Sequence, residues 1–180
     1  MTTINMELDS MAIAMPEVEG HPNREAFRGV LTLVDVMSDR APSGSRGHRV
    51  VLTRRAAEEA LPSLMGMALD YTPALDRHDA RMKVGVITRA EIVGQNLELG
   101  GYLFAKDFPE LVREIENAST ERSAASALGM SYEVAEVQVA DARADVWMLT
   151  KVTFTGAAVL RREKAAYQKT WIELGEADPQ

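Results

Sequence analysis

The chain has three histidines and no cysteine, so any covalent chemistry falls to Ser, Thr, His and the carboxylates. His21 lies in a Pro- and Glu-rich stretch and His48 opens an apolar run between Arg46 and Arg49; both read as ordinary surface residues. His78 is different. It sits at the end of Tyr71-Thr-Pro-Ala-Leu-Asp-Arg-His78-Asp79, a loop that runs into an alternating segment beginning at Lys83. An imidazole at the mouth of a strand can act as a general base, because histidine titrates near neutral pH. A solvated loop histidine beside Asp79 is the plainer reading of the same residue. Ser131 is the second feature, in Leu128-Gly-Met-Ser131-Tyr-Glu133-Val134, where a small-residue segment breaks at Gly129 and a strand-like one begins. A nucleophile at the start of a rigid element is held in place better than one on a loop. Glu133 occupies the second glycine's place of a G-x-S-x-G elbow, which argues against α/β-hydrolase chemistry. The third feature is residues 152–159 (VTFTGAAV), where strand alternation puts Thr153 and Thr155 on one face and Val152 and Phe154 on the other. Such hydroxyls could orient an imidazole or simply decorate a sheet. A metal-dependent hydrolase built on Asp76, His78 and Asp79 is a remoter option, since no second histidine stands one helical turn away.

The elements that must hold these residues are mostly strands. Residues 27–36 (FRGVLTLVDV) are apolar and β-rich, and residues 48–52 continue after a loop punctuated by Pro42, Gly44 and Gly47. Residues 83–92 (KVGVITRAEI) alternate as a half-buried strand should, and Gly94-Gln95-Asn96 turns them into residues 97–104 (LELGGYLF), a hairpin. Residues 131–139 and 146–160 are two further strands around a polar connection. Between them, residues 54–60 predict a helix capped by Thr53, and Asp107-Phe-Pro-Glu110 predicts a capping box ahead of the stripe Leu111, Val112 and Ile115. Residues 121–128 predict a further helix. The pattern predicts an α+β fold, a mostly antiparallel sheet curled into a barrel with helices outside. Residues 1–24 read as a flexible arm, 25–174 as one domain and 175–180 as a frayed tail.

A net charge of −7 argues against nucleic-acid or anionic-membrane surfaces, which need clustered Lys and Arg. The absence of cysteine excludes disulfide scaffolds, cysteine-based zinc sites and thiol nucleophiles. The sequence carries no run of roughly 20 apolar residues, and its acidic start lacks the positive residues of a secretory signal, so a soluble cytoplasmic protein is expected.

Taken in order, these segments resemble the prohead (capsid maturation) proteases of tailed bacteriophages, which are similar in fold and mechanism to herpesvirus assemblin. The resemblance runs from Phe27-Arg-Gly-Val30 and Val34-Asp-Val-Met-Ser-Asp39 through the helix at 54–64, His78 and Val84-Gly-Val-Ile87. It continues through Leu97-Glu-Leu-Gly-Gly-Tyr-Leu-Phe104, the helix at 108–115, Gly129-Met-Ser131-Tyr132 and the closing strand at 152–159. It covers about residues 26–160. It implies a serine endopeptidase with His78 as base and Ser131 as nucleophile. Substrates or assembly partners would be the major capsid protein and scaffold, with cleavage of the chain itself, inside the assembling prohead in the host cytoplasm. No cofactor, metal, nucleic acid or membrane is implied, and a homo-oligomer is compatible with it. The sequence departs from the family in two places. Many relatives have their serine where this chain has Gly129, which makes Ser126 a fallback. Relatives also carry Glu or His in the closing strand where this chain has Thr155, so Thr155 becomes the expected third member, with Asp76 or Asp79 as substitutes. Arg161 and Arg162, just past the closing strand, match arginines that the herpesvirus enzymes place near the oxyanion. A protease-like head protein that has lost its activity is the alternative expectation.

Overall fold

The structure, a computed structural model, describes residues 10–16, 18–120 and 127–175. Its strands are β1 (Ser10–Ala12), β2 (Glu25–Leu33), β3 (Arg49–Leu52), β4 (Ala68–Asp70), β5 (Lys83–Val93), β6 (Asn96–Leu103), β7 (Leu128–Val139), β8 (Val146–Arg161) and β9 (Trp171–Leu174). Two α-helices, α1 (Arg54–Ala60) and α2 (Pro109–Thr120), accompany them.

The strands form a single sheet in the order β3-β8-β4-β5-β6-β2-β9, with β1 added on β5 and β7 on β8. Most pairs are antiparallel, whereas β3 and β4 run parallel to β8. The sheet curls into a half-barrel around Phe27, Leu31, Leu69, Ile87, Leu103, Met130 and Phe154, all fully buried. Tight coiling between β5 and β6 needs a glycine: a Cβ on Gly101 would stand 2.0 Å from the Val86 carbonyl oxygen. The helix α2 adds Leu111 and Ile115 to the core, and α1 presents the small residues Ala56, Ala57 and Ala60.

The long strands and the hairpin follow the alternation of the sequence. The Ala56 amide donates to the Thr53 hydroxyl over 3.2 Å, so the expected helix cap is present. Other local expectations changed for identifiable reasons. The strand expected over 27–36, β2, stops at Leu33 because Asp35 takes φ +56° and its carboxylate accepts from the Arg54 amide, starting α1. The helix α1 keeps the bounds read from the residues, 54–60, while the rest of the 54–64 stretch that the resemblance gave, Leu61–Leu64 with Pro62, tightens into a 3-10 turn. Asp107 accepts from Asn23 and Glu110 from the Tyr71 hydroxyl, so both carboxylates of the expected capping box make tertiary contacts instead. In the expected helix at 121–128, residues 121–126 lie outside the described residues and Leu128 already opens β7. Ser10–Ala12, within the stretch read as an arm, pairs with Arg89–Glu91 of β5. The strands β1, β4 and β9 are three or four residues long, too short for a period to show in sequence.

Candidate active site

The site is built on the row of strands β4, β8 and β7. Asp70, the last residue of β4, lies beside Ala158 of β8, and Ala158 lies opposite Ser131 of β7. Residues in one lateral row share a sheet face, so Asp70, Ala158 and Ser131 point the same way. Two residues along β7, about 6.6 Å from Ser131 at strand rise, Glu133 stands opposite Gly156. Tyr132 between them and Met130 before Ser131 turn inward, Met130 fully buried and Tyr132 edge-on against Phe154. Small residues on β8 leave room above the sheet: a Cβ on Gly156 would come within 3.2 Å of Glu133 Oε2. The loop before β5 places His78 over that space.

His78 Nδ1 lies 3.2 Å from Glu133 Oε1 and 3.6 Å from Asp70 Oδ2. Both contacts are within ion-pair reach, yet neither is a hydrogen bond, and Nδ1 and Asp70 Oδ2 have no hydrogen-bond partner among the described residues. Asp70 is completely buried. Its Oδ1 accepts from the Asp79 backbone amide at 3.1 Å, and Lys83 Nζ stands 3.9 Å from Oδ2. An ionised carboxylate buried this deeply is sustained by such neighbours. The His loop is pinned from its other side: Arg81 donates to Asp79 from side chain and backbone and holds its carboxyl well down, to about 2. Thr72 donates to Asp76 at 2.9 Å. Asp76 and Asp79 are therefore committed elsewhere, and the metal set expected from Asp76, His78 and Asp79 does not assemble.

An open cleft of about 940 Å³ runs over this face and is lined by His78, Ser131, Glu133 and Thr155 together with the Arg40–Ser45 loop. Arg40, Arg77 and Lys164 bring positive charge to its wall. Turning Nδ1 toward two carboxylates leaves Nε2 as the nitrogen available to a nucleophile, the division of labour a Ser-His-acid site uses. No protein-family model and no curated protein matches the sequence. Solved structures do. A protease of Kaposi's sarcoma herpesvirus (KSHV), solved with a hexapeptide phosphonate inhibitor, aligns with a TM-score of 0.50 at 13% identity. The fold is that of the herpesvirus proteases. The alignment takes in 85% of the present chain and 66% of the viral one, so the chain spans just under two thirds of that protein's length. Two further chains of this viral protease, solved with allosteric inhibitors, align at TM-scores of 0.44 and 0.41 and identities of 16% and 15%. They cover 85% and 86% of the present chain and 76% and 77% of their own.

The remaining expected residues are distributed as follows. Thr155 lies on the cleft wall at a register shift, where Glu133 pairs with Gly156 and Val134 with Phe154. Arg161 and Arg162 are not among the cleft-lining residues. The Arg162 guanidinium donates to the Thr170 carbonyl at 3.1 Å, and the Arg161 backbone amide donates to the Leu75 carbonyl. Ser126 lies outside the described residues. His21 accepts from the Asn23 amide, and His48 stacks on Trp147 at 4.5 Å. The sequence reading passed over Asp70 and Glu133. Glu133 had a usable signal, since a residue two places from Ser131 on a strand must share its face. Asp70 had only its position at the end of a short apolar stretch.

Proposed function

We propose that the chain is a serine endopeptidase in which Ser131 is the nucleophile and His78 the general base. The observation that carries the reading is the His78 imidazole in one cleft with Ser131, its Nδ1 facing Glu133 and Asp70. Nε2 takes the Ser131 hydroxyl proton as Oγ attacks a scissile carbonyl, then returns it to the leaving amine; water repeats the cycle on the acyl-enzyme. Glu133 and Asp70 fix the tautomer and stabilise the imidazolium, which a hydroxyl such as Thr155 could not do as well. Arg77, which lines the cleft one residue before His78, is the nearest cation in sequence for the developing oxyanion, a role for which Arg161 and Arg162 are less well placed.

The likeness to herpesvirus proteases and the sequence order shared with phage prohead proteases support a role in capsid maturation, on scaffold and capsid-protein segments. Co-expression of the chain with its capsid protein and scaffold tests this. Wild type should cleave, and Ser131→Ala and His78→Ala should each stop cleavage. Processing that persists in both variants would overturn the assignment. A wild type that cleaves nothing but stays with finished particles would make the chain a protease-like structural protein of the head.

A further inference from the structure

We infer that Asp70, His78 and Glu133 form a divalent-cation site of the kind that takes Zn²⁺, and that a cation bound there disables His78 as a base. The second half rests on the serine-peptidase reading above; the first does not.

One imidazole nitrogen and two carboxylate oxygens converge here, each within 4.8 Å of the others. The 3.2 Å and 3.6 Å separations from His78 Nδ1 bracket the edge of a tetrahedron with zinc-length bonds, about 3.3 Å for bonds of about 2.05 Å. Asp70 supplies the second, independent sign. It is wholly buried, its Oδ1 is fixed by the Asp79 amide, and its Oδ2 faces His78 Nδ1 without a hydrogen bond. A buried oxygen and a ring nitrogen that face each other unbonded are a pair that a cation satisfies at once. The mix of one nitrogen and two oxygens suits zinc and its neighbours in the first transition row rather than calcium. The fourth position opens into the cleft. Two carboxylates balance a divalent charge, while Lys83 at 3.9 Å from Asp70 Oδ2 opposes it; with 40% of that side chain exposed, the ammonium can swing away.

The consequence for His78 follows from proton counting. A neutral imidazole carries one proton. When a cation takes the Nδ1 lone pair, that single proton moves through solvent from Nδ1 to Nε2. Nε2 is then a donor and cannot accept the Ser131 proton.

The experiment uses the full chain, with Zn²⁺ binding followed by calorimetry, Co²⁺ binding by visible absorption, and Ser131 reactivity by labelling with a fluorophosphonate. One Zn²⁺ should bind per chain. Loss of even an outer partner of a metal costs about 10–100-fold in affinity, so Asp70→Asn and Glu133→Gln should each weaken binding at least tenfold. Glu133 is one-third exposed, so its variant tests the site even if Asp70→Asn misfolds. Ser131→Ala should bind as wild type does, and Lys83→Gln more tightly. Labelling of Ser131 should fall in step with occupancy and return with EDTA. Absent binding, or binding indifferent to Glu133→Gln and Asp70→Asn, would overturn the site and leave the peptidase reading standing. Intact binding with a serine that labels equally well, or never labels, would sink the switch and keep the site; the never-labelling case would sink the peptidase reading too.

Discussion

The inner and outer halves of the β7–β8 hairpin belong to one ladder and differ in what lies beneath them. In the inner half, β7 up to Val134 packs Leu128 and Met130 into the half-barrel and lays Ser131 and Glu133 over the small residues Ala158 and Gly156 of β8. In the outer half, residues 135–138 are exposed, Glu136 takes φ +52°, and the pairing shifts register twice between Ala135 and Val139. Val137 and Met148 there face solvent. Both halves are built from similar residue types. What separates them is the rest of the sheet: β4 lies beside the inner half of β8 and β3 beside its outer end, so only the inner half has a buried acid brought beside a loop histidine.

The largest effect expected from breaking the inner half is on chemistry. Ser131→Ala or His78→Ala should lower the cleavage rate by about 10⁴-fold or more, read on a peptide substrate, with thermal unfolding almost unmoved. The positioning acids come next. Glu133→Gln should lower kcat/KM by about 10²- to 10⁴-fold, while Thr155→Val should change it by no more than a few-fold; the reverse order would return the third role to the closing strand. Stability separates the halves as well. Met130→Ala should cost about 2–5 kcal/mol in urea unfolding, because it opens a cavity in the core, whereas Val137→Ala should stay within about 0.5 kcal/mol. The smallest effect concerns pH and lies outside the hairpin. Burial and the Glu110 carboxylate push the Tyr71 phenol up to about 12, which favours its neutral form in the folded chain. Its contribution is therefore complete below pH 10 and is lost as pH rises through about 12. Tyr71→Phe should flatten that alkaline loss in a series of unfolding curves.

The long elements were legible because period-2 alternation reports a buried face directly, as in Lys83–Val93 and its hairpin partner. The cap at Thr53 was legible for a similar local reason. The carboxylate pair of the expected capping box was misread because Asn23 and Tyr71, distant in sequence, compete for Asp107 and Glu110. Short strands leave no period, so β4, and with it Asp70, stayed hidden.

By itself, the sequence determined the alternating strands, the absence of thiol chemistry, and the pair His78 and Ser131 as the residues worth watching. It could not determine what stands behind the histidine. Asp70 and Glu133 come from strands on opposite sides of β8, and they meet only because β4 and β7 pair with β8 in a register that places Ala158 and Gly156 between them. That register is a long-range choice, made by burying Leu69, Met130, Phe154 and Val159 together in one core, and no local pattern encodes it.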